Sequence, residues 1–244
     1  MNLSTLQAEI GRLLNDPSNT RWSTDVLTSR INQAQQHIQG FTNAVKVTET
    51  LTPTANTQQV TLNASTMDVL DVTFLRSDGN VISLPGITRQ ELDYRYGNWR
   101  QFTAGVPFAW YYDASNQQLN LVPAPDSANA QTNGLTVLES RVPADLVNST
   151  DIPFDSNNQM IPYHMAIVYW VVSQCWMDDG QPEALKKAAY FRTNDLTRPG
   201  AYEAEIKRIN EKFDKPSGQS NNILWQKEGG RIGVSGPSKA FPLA

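Results

Sequence analysis

The sequence predicts an α+β fold. An α-helical bundle core, built from an N-terminal helix pair and C-terminal helices, carries an inserted antiparallel β sandwich or barrel-like domain and ends in an extended tail. Three observations predict it. Apolar residues recur at helical spacing at both ends of the chain. Between them lie six or seven short alternating segments bounded by turn residues. After Lys215-Pro216-Ser217-Gly218 the periodicity stops. The division expected is a helix pair over 1–44, a β-rich insertion over 45–150, helices over 151–214 and the tail over 215–244.

The helix pair comes first. Ser4 and Gln7 have capping-box spacing. Leu6, Ile10, Leu13 and Leu14 form one stripe, which Asp16-Pro17 ends. Ser23 or Thr24 caps the second helix, with Trp22 and Leu27 spaced as a hydrophobic staple. Val26, Leu27, Ile31, Ala34 and Ile38 continue the stripe to Gly40, and Arg30, Asn32, Gln33, Gln35 and Gln36 fill the opposite face. Two helices of this length need a further partner to bury their stripes.

Strands are expected over 45–51, 59–62, 69–75, 81–84, 107–112, 118–122 and 135–140. Asp78-Gly79 marks a hairpin turn. A short helix is expected over 88–96, with Thr88 and Glu91 as its capping box, and a loop with Trp99 and Arg100 follows. Ile161, Met165, Val168, Val172, Cys175 and Trp176 then align on one helical stripe. Ala166, Ile167 and Val171 widen it, so this helix is expected to be nearly all buried. A further helix starts at Pro182, with Ala184, Leu185, Ala188 and Ala189. The segment 194–200 interrupts it, and a last helix carries Tyr202, Ile206, Ile209 and Phe213.

Composition narrows the function. The chain has 244 residues and a net charge of −4, which argues against the strongly basic face of an autonomous nucleic-acid binder. Charged residues make up 18%, below the usual ~25%. Asn, Gln, Ser and Thr fill the gap, a surface suited to burial against neighbours. The longest apolar run, Met165–Val172, is far short of the ~20 residues that span a bilayer, so no membrane partner is expected. One cysteine, Cys175, leaves no internal disulfide, and with His37 and His164 it cannot complete a closed zinc site.

No nucleotide, metalloprotease, hydrolase-elbow or CxxC motif occurs. Gly229-Gly230-Arg231-Ile232-Gly233 is glycine-rich, but neither a preceding strand nor a following helix frames it. His164 reads as a hydrogen-bonded residue at a helix start, without the partner a general base needs. Cys175 reads as a packed thiol and Asp178-Asp179 as a solvated helix end. No catalytic residue, cofactor or metal is therefore expected, and the chain is not expected to be an enzyme. Two groups stay open. Trp99, Arg100, Trp110, Tyr111 and Tyr112 suit either a sheet core or an aromatic platform for a sugar or base. Lys186, Lys187, Arg192 and Arg198 suit either a solvated face or contact with phosphate or an acidic partner.

The order of segments adds what no single motif supplies. Leu14-Asn15-Asp16-Pro17, Arg21-Trp22-Ser23 and Ile31-Asn32-Gln33-Ala34-Gln35 lie in the helix pair. Leu70-Asp71-Val72, Gly105-Val106-Pro107, Trp110-Tyr111 and Leu121-Val122-Pro123-Ala124-Pro125 lie in the insertion. Asp151-Ile152-Pro153, Tyr163-His164 and Ala166-Ile167-Val168-Tyr169 follow. From about Leu3 to Phe213 this layout resembles the head-to-tail adaptor, or connector, proteins of tailed bacteriophages.

The resemblance implies a structural virion protein, made in the host bacterial cytoplasm and placed at the head-tail interface. It implies a homo-oligomeric ring of about twelve copies beneath the portal protein. That ring would extend the channel through which genomic DNA passes without sequence-specific binding, and would dock the tail nozzle or the next ring. It also implies a C-terminal extension reaching the portal, with Ile223, Leu224, Trp225, Ile232 and Phe241 as its anchors. The segment 194–200 departs from the simplest adaptor pattern. The alternative reading, from the aromatics, is a carbohydrate-binding or other interaction module of a tail or baseplate.

Overall fold

The computed structural model describes residues 1–192 and 200–213. The chain order is α1 (Leu3–Leu14), α2 (Thr24–Thr42), β1 (Lys46–Leu51), β2 (Gln59–Thr61), β3 (Thr66–Leu75), β4 (Val81–Leu84), α3 (Arg89–Tyr96), β5 (Ala109–Asp113), β6 (Gln118–Val122), β7 (Leu135–Arg141), α4 (Met165–Asp179), α5 (Pro182–Arg192) and α6 (Ala201–Phe213). Short 3-10 turns occupy Trp99–Gln101, Phe154–Ser156 and Asn158–Tyr163.

The first helix begins two residues earlier than the capping-box spacing suggests. Asn2 caps α1, its Oδ1 accepting from the Thr5 amide at 3.0 Å. Ser4 lies inside the helix and donates to the same oxygen. Leu6, Ile10 and Leu14 are buried as expected. Asn15 closes the helix in the left-handed conformation. Asp16 then organises the turn, its carboxylate accepting from the backbone amides of Thr20, Arg21 and Trp22. Those donors, the Trp22 amide foremost, pull its pKa down to about 2.

Ser23 caps α2, accepting from the Val26 amide. Leu27, Ile31, Ala34 and Ile38 are buried, but Val26 is exposed. Gln35 departs most from its expected place on the polar face. It is fully buried, donating to the Ala144 carbonyl at 2.7 Å and accepting from the Phe154 amide at 3.2 Å. A glutamine can occupy a core position when both ends of its amide find backbone partners. α4 is apolar on nearly every side and lies at the centre of the helical core. Leu6, Ile10, Ile31, Ile38, Val168, Val171, Val172 and Ile209 belong to that one cluster.

Two antiparallel sheets form the β part, in orders β1-β7-β3-β4 and β2-β6-β5. Neither sheet is closed, so the barrel-like alternative is not formed. Val72, Phe74, Leu84, Leu135 and Val137 of the first sheet share a core with Val60, Leu119, Leu121 and Trp110 of the second. Irregular pairing between Val69 and Asp71 lets Val69 and Val72, three residues apart, both point inward. The Asp78-Gly79 turn joins β3 to β4 as predicted, with Gly79 at φ 81°.

A bridge between Gly86 and Trp110 ties the end of β4 to β5. Gly86 is required there, because a Cβ would lie 2.8 Å from the Trp110 ring. Thr88 caps α3 as predicted, accepting from the Glu91 amide. Residues 193–199 and 214–244 lie outside the described residues, and with them most of the predicted 194–200 interruption.

Candidate interaction surfaces

The helical and β parts meet at a fixed polar junction. Gln39, buried on α2, donates to the Val45 carbonyl and to Ser140 Oγ, both at 2.9 Å, and accepts from the Val45 amide at 2.8 Å. Ser140 Oγ in turn donates to Asn43 Oδ1 at 3.0 Å. Asn157 donates to the Ala44 carbonyl at 3.0 Å. Beside this lies a charged cluster on the first sheet. Buried Glu139 accepts from Arg141 and from the Thr66 hydroxyl, and Arg141 also reaches Glu49. Burial, with Glu139 adjacent, raises the Glu49 pKa. A second copy of the chain or a partner would therefore meet a β part held against the helices.

Of the two readings of the aromatic group, the sheet core is the one formed for the tryptophans, and the aromatic platform is not. Trp99 and Trp110 are 1% and 4% exposed. Trp99 donates its indole N–H to Asp93 at 2.8 Å, and Trp110 donates to the Leu84 carbonyl at 2.8 Å. Arg100 stacks over Trp99, 4.3 Å from the ring centroid, while forking onto Asp93. Tyr111 meets Trp99 edge-on, and the Tyr112 hydroxyl bonds the Thr66 carbonyl. Strand aromatics alternate between faces. Here the inner face and the small core under α3 took most of them.

A different aromatic group is exposed. Tyr96 lies at the end of α3, and Phe102 and Phe108 come from the segment before β5. Their exposures are 40%, 38% and 37%. The rings touch one another, with centroids 5.2 Å apart for Tyr96–Phe108 and 6.3 Å for the other two pairs. Tyr96 ends the helix expected over 88–96, Phe108 falls in the strand expected over 107–112 and Phe102 in the loop between, and no regular period groups the three. These three adjoining, partly bare rings form a small exposed aromatic patch.

His164 stands at the start of α4 and is hydrogen-bonded, as expected, and it is buried, at 1% exposure. Its Nδ1 is 2.8 Å from the Met1 ammonium. Burial, helped by that neighbouring charge, lowers its pKa to about 4. Cys175 is a packed thiol pushed up to about 12 by burial, far from a nucleophile at neutral pH. Asp178 and Asp179 are not merely solvated: Arg30 pairs with Asp178 at 2.6 Å and Arg21 pairs with Asp179. These arginines offset two negative charges at the C-terminal end of α4, where the helix dipole disfavours them.

Of the basic group, Lys186 pairs with Glu183 at 2.9 Å and Lys187 sits 4.5 Å over the Trp176 ring. Arg192 reaches Met177 Sδ at 3.2 Å. Arg198 lies outside the described residues, as do the anchor residues Ile223, Leu224, Trp225, Ile232 and Phe241. Along α2, on the flank facing 145–147, runs an open groove of about 540 Å³ lined by Asp25, Ser29, Asn32, Gln36, Asp145 and Val147, among others.

What the fold presents, then, is a set of surfaces on a two-part scaffold, the type of a structural, partner-contacting protein. The chain belongs to the SU10 adaptor protein family, whose model matches residues 1–209 and so spans both the helical and the β part. This bears out the resemblance to phage head-to-tail adaptors: the family is one of structural phage proteins, components of the virion that work against portal and tail proteins. Among curated proteins nothing matches the chain. No helix among the described residues is long and apolar enough to cross a membrane.

Proposed function

We propose that the chain is a head-to-tail adaptor that forms a ring under the portal, extends the DNA channel and docks the tail nozzle or the next ring. The observation that carries this is the family match over residues 1–209. In this reading the four parts divide the work. The helices over 1–44 and 151–214 form the ring body, the β part over 45–150 presents a docking face, and the tail over 215–244 anchors on the portal. About twelve copies make the ring.

Several physical features support the reading. A net charge of −4 suits a passage for DNA, because phosphate contacts dominate protein–DNA affinity and a strongly basic lining would hold the duplex. The polar junction around Gln39 holds the β part on the helices, so one subunit can join two partners through a fixed body. The adjoining, partly exposed Tyr96, Phe102 and Phe108 offer one aromatic surface to a partner.

The tail is the anchor in this proposal, through Ile223, Leu224, Trp225, Ile232 and Phe241. Deleting Asn222 to Ala244 should abolish portal binding in a pull-down while the circular dichroism and melting of the remainder stay unchanged. Undiminished binding after the deletion would remove the tail from the anchor role.

A further inference from the structure

Among the described residues α5 keeps an exposed face, and its lysines are complementary in charge to the groove on α2. Tyr190 and Leu185 are 75% and 47% exposed on α5, with Lys186 and Lys187 between them. The α2 groove offers the opposite charge. Asp25 and Asp145 lie along it, amides of Asn32 and Gln36 line it, and Val147 is 78% exposed at its rim. At about 540 Å³ it has room for several side chains.

The two patches lie on different flanks of the helical part. Arg30 and His37 turn one flank of α2 toward α4 and α6, through Asp178 and Tyr202. α5 packs against α4 and α6 on that side. Asn32 and Gln36 turn the other flank toward Leu146 and Asp145. A copy cannot satisfy its own groove with its own α5, but a neighbour can.

We infer that the α5 face of one copy docks in the α2 groove of the next, and that this contact is the lateral interface of the ring; the inference rests on the adaptor reading and specifies it. Two different patches in contact make a heterologous interface, which generates a closed ring when the rotation closes. Lys186 and Lys187 face Asp25 and Asp145 of the neighbour, while Tyr190 covers Val147. Lys186 exchanges its exposed bond to Glu183, a pair of small worth, for the new one.

Charge exchange tests it. Three full-length variants are mixed with the portal oligomer, and complex masses are read by mass photometry: Lys186→Glu with Lys187→Glu, Asp25→Lys with Asp145→Lys, and all four together. All four positions are exposed, and a melting curve for each variant checks that it folds. The expected result is that each pair of changes reduces ring formation at least tenfold in the concentration required, and that the fourfold variant restores it. Pairs that assemble like the wild type would overturn the interface, as would a fourfold variant that folds but fails to assemble. A wild-type chain that forms no ring on the portal would instead overturn the adaptor reading beneath it.

Discussion

Two side chains show what burial does to chemistry in this protein. His164 takes up its proton near pH 6.5 in the unfolded chain and only at about 4 when folded. The unfolded state therefore binds more protons between those values. Stability contributed by the neutral imidazole is complete above pH 6.5 and falls as pH drops toward 4, by roughly 2–3 kcal/mol. Urea titrations at pH 7.5 and 4.5 should show that loss, and His164→Gln should flatten this part of the profile. An equally steep profile in the variant would place the acid sensitivity elsewhere. Trp99 makes the complementary case. Its ring is buried and its N–H bonded to Asp93. Trp99→Ala should cost about 3–5 kcal/mol in denaturant unfolding, as core truncations of large aromatics do. On a glycan array, any saturable signal should depend on Tyr96, Phe102 and Phe108 and not on a Trp110 platform. The sequence showed that these residues were aromatic and where the strands lay. It could not show which aromatic faced inward, because that depends on which sheet face meets the other sheet.

At the scale of elements, the helix and strand starts were legible wherever a local signal decided them: Ser23, Thr88, the Asp78-Gly79 turn and Pro182 at the first position of α5. Exceptions trace to long-range partners. Asn2 outcompetes the Ser4 capping box while the Leu3 amide bonds the Asp151 carbonyl, a residue far along the chain. Gln35 left the polar face because backbone at Ala144 and Phe154 came within reach. Ile161, expected on the α4 stripe, is 44% exposed in the 3-10 turn before that helix. The Gln39 junction is the element-scale contact with the largest consequence. Gln39→Leu would leave the Val45 N–H buried without its partner, while the Val45 carbonyl keeps the Arg141 amide, at a cost of about 1–3 kcal/mol. By contrast Arg30→Ala removes a half-exposed pair with Asp178 and should cost less than about 1 kcal/mol. Equilibrium unfolding of the two variants side by side checks the ranking. Similar losses would mean the junction is not the stronger of the two ties.

At the scale of the whole molecule, two sheets and a helical core give a subunit whose free surfaces are separated: bare aromatics near α3, the α2 groove, and the α5 face. The order of segments, more than any motif, made the adaptor family legible in the sequence, and the match over residues 1–209 places the chain in it. The surfaces themselves were not legible, since exposure is decided by what the fold covers. The Lys186 and Lys187 pair was visible as charge, but its complement across α2 emerges only when 145–147 is brought beside that helix. The central claim is assembly on the portal. The most direct test is the mass of the complexes formed when the full chain is mixed with the portal oligomer of the same phage, read by native mass spectrometry. One discrete product carrying about one copy of this chain per portal subunit is expected. Two folded partners that show no such increment at any ratio would contradict it.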